Sequence, residues 1–192
     1  MNYFFLVYFF VGIVVIRFSL NLNKFFFLKK ALNKQDKFVR ANFPGATEDE
    51  ITIGNKSGQW IESHLVDIKK TVSGASVKDI VHTFVEPIGY GHLQQKSISV
   101  LDNLLFKNID FFTGGRDLMS RAKGFYIVES FKSFNPLFWV EVIIFLPKHL
   151  INYFNSEKES KSVSAITKVI QIIYWIVSLI FLYLNYINSL QK

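Results

Sequence analysis

From Tyr3 to Ile16 no residue is charged and nearly all are apolar or aromatic. Charge first appears at Arg17, and apolar character resumes with Phe18, Leu20 and Leu22. A helix of about 20 residues crosses the hydrocarbon core of a bilayer, so residues 1–22 predict a transmembrane anchor with Arg17 snorkelling to an interface. A second such run closes the chain. Between Ala165 and Ile187, Lys168 is the only charge and Gln171 the main polar interruption. At 1.5 Å rise, residues 165–187 extend about 34 Å, enough to span with some tilt. The predicted fold class is therefore mainly α: a membrane protein whose N-terminal and C-terminal transmembrane helices enclose a small, mostly helical cytoplasmic domain.

Residues 23–42 continue the first helical pattern, with Phe25, Phe26, Phe27, Leu28, Ala31, Leu32 and Phe38 making an apolar side and Lys24, Lys30, Lys34 and Lys37 elsewhere. This basic amphipathic juxtamembrane helix either lies on an anionic surface or packs on its own domain. Phe43-Pro44-Gly45 ends it. Residues 43–133 then read as short helices. Thr47-x-x-Glu50 has capping-box spacing, although Ile51-Thr52-Ile53 before Gly54-Asn55 fits a short strand and turn as well. Helical period is expected over 59–72, 76–86 and 98–112, with Gly114-Gly115 as a break before a further helix at 116–133. Asn135-Pro136 starts a helix that is apolar on every side except Glu141, so 134–154 is expected to be re-entrant or interfacial, or to be a third span. Residues 155–164 form a polar linker, and 188–192 a short tail.

Charge orients this arrangement. The chain of 192 residues carries a formal +7. Residues 17–42 hold seven basic groups (Arg17, Lys24, Lys29, Lys30, Lys34, Lys37, Arg40) against Asp36 alone. No Lys or Arg precedes the first apolar run, the reverse of a cleavable signal peptide. The positive-inside rule therefore predicts an uncleaved anchor with its N-terminus outside and the middle of the chain inside. The expected location is a plasma or inner membrane. The seven basic groups are candidate contacts for anionic lipid headgroups, and their interleaving with Phe at a membrane edge argues against nucleic acid.

Candidate chemistry is sparse. The chain has no cysteine, which removes disulfides and zinc–thiolate sites. The four histidines lack metal-ligand spacing, so no cofactor is expected. His92, in the irregular connection 86–95 just after Gly89 and Gly91, and Arg116, after Thr113-Gly114-Gly115, are the weak loop candidates, the latter as part of an anion cradle. Glu141, Gln171 and Lys168 are the polar groups of the apolar segments and hence candidate pore-lining or intramembrane residues. Ser-Gly pairs do not form a nucleophile elbow.

These features favour a membrane-anchored scaffold or accessory subunit acting through protein–protein association, as a homo-oligomer or part of a membrane complex. An oligomeric ion channel or pore-forming effector, with Glu141 and Gln171 near the path, is the alternative. A membrane enzyme is the third reading and has no catalytic motif in its favour.

Overall fold

The computed structural model describes residues 3–87, 93–148, 151 and 161–190. The chain divides into two compact units, residues 1–134 and 135–192. It is mostly helical, with two long apolar helices near its ends.

Helix α1, Tyr3–Ala41, runs unbroken through 39 residues, about 58 Å at 1.5 Å per residue. Residues 1–22 and 23–42 thus share one rod. Its first half exposes apolar side chains such as Phe9 and Ile16. Its second half turns Leu28, Ala31 and Gln35 into the core at helical spacing, so this part packs on its own domain. Gly45, at φ +91°, supplies the left-handed residue that turns the chain after α1.

Helix α2, Glu48–Ser63, opens with a complete capping box. Thr47 Oγ1 accepts from the Glu50 amide at 3.3 Å, and the Glu50 carboxylate accepts from the Thr47 amide at 3.0 Å. Residues 51–55 are therefore helical, and the strand-and-turn option is not taken. The glycine there serves a close approach: a Cβ on Gly54 would collide with that of Ala41. His64 separates α2 from α3, Leu65–Gly74, which buries Ile68 and Val72.

Three expectations for residues 76–116 are corrected. Residues 81–87 and 93–99 pair as antiparallel strands, β1 Val81–Pro87 with β2 Leu93–Ser99, in the register Val81↔Ser99 and Thr83↔Ser97. The apolar residues at 77, 80, 81, 84 and 85 match a helix, but the strand puts His82 and Phe84 on one face. Both rings meet Phe111, at 5.1 and 6.4 Å between centroids. Second, residues 100–108 are a turn segment, held by Asp79 accepting from the Leu101 amide at 3.2 Å and by Asn103 Nδ2 donating to the Ser99 carbonyl at 2.9 Å. Its Val100, Leu101 and Leu104 lie at the centre of the core.

Third, Gly114-Gly115 does not break a helix. Helix α4, Ile109–Lys132, runs through both, capped by Asn108. A Cβ on Gly115 would stand 2.6 Å from Leu104 Cδ2 and 3.0 Å from Gln35 Nε2, so the missing side chain lets α4 press against α1. The core of this unit therefore lies among the second half of α1, α2, α3 and α4, with Phe111, Leu118, Met119, Ala122 and Tyr126 as the α4 contribution.

In the second unit, α5 is Pro136–Ile144, with the Asn135 side chain accepting from the Leu137 amide at 3.0 Å. Helix α6 is Lys161–Leu190, so the last four residues expected in the linker are helical. The described part of 134–154 thus contains a nine-residue helix, about 14 Å long.

Candidate functional site

Helices α1 and α4 run antiparallel, and their contacts form a ladder along both. At one end Arg116 pairs with Asp36 at 3.5 Å, and Gln35 Nε2 donates to the Phe112 carbonyl at 3.4 Å. Midway, the Lys24 ammonium sits 5.0 Å from the centre of the Tyr126 ring, a cation–π distance. At the other end Arg17 Nη2 donates to Glu129 Oε2 at 2.8 Å. The Phe18 ring lies 6.4 Å from Phe131 and 4.9 Å from Phe134. Helix α4 therefore brings the chain back to the level where the apolar run of α1 meets its first charge.

The Arg17–Glu129 pair is the most sheltered ion pair among those described, with side-chain exposures of 26 % and 15 %. Glu129 also accepts from Lys132 Nζ, one turn on, at 2.7 Å. One carboxylate thus serves two cations. The sequence places Arg17 at an interface; its carboxylate partner lies 112 residues away, beyond any local pattern.

Tyr126 ties α4 to α3. Its hydroxyl donates to the Thr71 carbonyl at 2.8 Å, and burial pushes the phenol above its ordinary pKa. Beside it, an open cleft of about 420 Å³ lies between α1 and α3. Leu20 and Phe27 form its apolar parts, and Lys24, Asp67 and Lys70 its charged ones.

The other lysines of α1 are dispersed. Lys29, Lys30 and Lys37 are exposed, as is Arg40, and Lys34 is half-buried. Lys30 stands 5.1 Å from the Trp60 ring, and Trp60 stacks on His64 at 4.2 Å. Arg116 belongs to the middle of a helix whose amides are used internally, so the expected anion cradle is absent. His92 lies outside the described residues. Among the described residues, no three His, Cys, Asp or Glu side chains come together as a metal site.

Searched against family models, curated proteins and solved structures, the chain has no match. Its site must be read from its own geometry.

In the second unit, α6 caps α5. Gln171 Nε2 and Trp175 Nε1 both donate to the Ile144 carbonyl, at 2.6 and 3.0 Å, and the Tyr174 hydroxyl donates to the Ile143 carbonyl at 3.0 Å. The last carbonyls of a helix have no partner within it. Three side chains of α6 supply donors here, beside a helix composed almost wholly of apolar residues. Gln171 is 9 % exposed. Glu141 and Lys168 are exposed, and among the described residues they share no ion pair. Of the three intramembrane candidates, the structure thus assigns a structural contact to Gln171 and leaves Glu141 and Lys168 apart.

Proposed function

We propose that the chain is an integral membrane protein with two spans, in α1 and α6, that acts as a scaffold or accessory subunit through its cytoplasmic helical domain. Both helices are long and apolar enough to cross, and the apolar side chains along α6 are mostly exposed. Helix α5, with its carbonyls capped from α6, is suited to a half-span, since unpaired backbone groups are costly in lipid.

The observation that carries the scaffold reading is an apolar patch at the far end of α1. Phe43, 57 % exposed, and Ile109, 62 % exposed, line a small cleft there with Val39 and Phe112. Ala41 lies 19 residues beyond Leu22, about 28 Å along the helix. That is well outside the headgroup layer, so lipid does not cover these side chains and a protein partner can. Aromatic and large aliphatic residues are the usual anchors of such contacts.

A channel reading draws on the exposed Glu141, but Gln171, its intended companion on the path, is occupied by the Ile144 carbonyl.

The test uses a single cysteine at Lys107, beside the patch, in a chain that otherwise has none. Bifunctional crosslinking in native membranes is expected to give a protein–protein adduct that Phe43→Glu and Ile109→Glu abolish without lowering the melting temperature. A chain that gives no adduct, or that conducts cations in liposomes with a flux lowered by Glu141→Gln, overturns the reading.

A further inference from the structure

The cleft between α1 and α3 has a composition and a depth that together define a ligand class. Its α1 wall runs from Leu20 to Phe27, seven residues and about 10 Å along the helix axis. With the hydrocarbon core ending between Arg17 and Leu22, where the proposed first span meets its first charges, this wall covers the headgroup layer, which is about 5–7 Å thick on each side. Leu20 then faces acyl chains, and Lys24 lies among phosphates.

The charged residues are of both signs. Lys24 comes from α1, and Asp67 and Lys70 come from α3. All three side chains are exposed, and among the described residues none of them takes part in an ion pair within the chain. The Tyr126 ring holds the Lys24 ammonium at 5.0 Å from its centre. An anion-only site has no use for Asp67, whose carboxylate would repel a phosphate. A carboxylate in the same cleft as two ammonium groups is the complement of a ligand that carries a phosphate and a cationic donor together.

We propose that this cleft binds the headgroup of a phospholipid bearing a primary amine, such as a phosphoethanolamine group. Lys24 and Lys70 take the phosphate oxygens, and Asp67 accepts hydrogen bonds from the ammonium. A trimethylated choline headgroup keeps its charge but has no N–H to donate, so Asp67 discriminates against it. A glycerol headgroup lacks the cation and meets Asp67 unfavourably. The inference rests on the two-span reading, because that reading sets the depth of the cleft.

The experiment is native mass spectrometry of the full chain in detergent with phosphatidylethanolamine, phosphatidylcholine or phosphatidylglycerol of matched acyl chains. Retention of the ethanolamine lipid is expected to exceed that of the other two by about five-fold, as for one partly exposed charge pair. Asp67→Asn should remove the preference over phosphatidylglycerol, and Lys24→Gln/Lys70→Gln should weaken retention of both. Equal retention of all three lipids, or a preference unchanged by Asp67→Asn, overturns the proposal. Displacement of the lipid by soluble phosphoethanolamine at equal concentration would assign the cleft to a free phosphate ester instead, and overturns the lipid source. Carbonate extraction of native membranes separates the two levels of inference. A chain released by carbonate refutes the spans, whereas a chain that stays but shows no lipid preference refutes the cleft alone.

Discussion

Removing either partner of the Arg17–Glu129 pair should destabilise the α1–α4 junction, and the two removals should differ. Glu129 is the acceptor for both Arg17 and Lys132. Glu129→Gln therefore takes one shared carboxylate from two cations, whereas Arg17→Gln leaves Glu129 paired with Lys132. Breaking a buried pair from one side costs about 3–5 kcal/mol, and exposed pairs contribute about 0.2–1 kcal/mol. With side-chain exposures of 26 % and 15 %, this pair falls between those limits, and we expect about 2 kcal/mol for Glu129→Gln and about 1 kcal/mol for Arg17→Gln. For a chain of this length each kcal/mol corresponds to about 2–4 °C in melting temperature. The double variant should cost less than the sum, because neither charge is then stranded. The assay is thermal unfolding of the four proteins in nanodiscs, followed by tryptophan fluorescence, since Trp60 lies in the folded domain against Phe27. Additivity of the two substitutions within about 0.5 kcal/mol, or an Arg17→Gln cost equal to that of Glu129→Gln, would refute a shared carboxylate.

Two further predictions concern helix ends. Glu50 has its pKa lowered by the Thr47 amide and hydroxyl, so its contribution to α2 is complete above the ordinary carboxylate value of about 4.3 and is lost as pH falls through the lowered folded value. Thr47→Ala should move the Glu50 titration, followed by carbon-13 NMR of its carboxyl, back towards the ordinary value; an unchanged midpoint would show that the cap does not set it. In the second unit, Gln171→Leu leaves Trp175 on the Ile144 carbonyl and should weaken α5 by about 0.6 kcal/mol. Adding Trp175→Phe removes both side-chain donors described on that carbonyl, at about 1–3 kcal/mol, raising amide exchange in α5 about ten-fold. Equal exchange in the single and double variants would contradict the shared acceptor.

What could be read from the sequence was local. The Thr47–Glu50 box and the Asn135-Pro136 start are each set by residues within three positions, and both are present. The strand pair was not legible, because Val77, Ile80, Val81, Phe84 and Val85 satisfy a helical period as well as they satisfy a strand. The choice is made by Phe111, which packs under His82 and Phe84 from a distant element. Gly114 and Gly115 failed for a related reason. A glycine in a helix costs about 1 kcal/mol relative to alanine, so a pair of them reads as a break. Here Val100 and Ile80 face Gly114, and Leu104 and Gln35 take the space beside Gly115; no neighbour in the sequence announces that. Of the interface residues, Arg17 and Lys24 stand out by charge alone. Glu129, Asp67 and Lys70 look like ordinary helical surface residues until α3 and α4 are laid beside α1.

The long sequence separation within the Arg17–Glu129 pair also bears on how the protein is made. Glu129 follows Arg17 by 112 residues. At synthesis rates of about 5–20 residues per second, Arg17 waits on the order of ten seconds for its counter-charge. If α1 spans as proposed, its apolar half enters the bilayer before the Glu129 carboxylate has been made. The same arginine that later fastens the domain can therefore act first as a brake on how far the nascent helix slides into the membrane. On the proposed two-span reading, the final depth of α1 is fixed only when α4 has been made and has folded back against it.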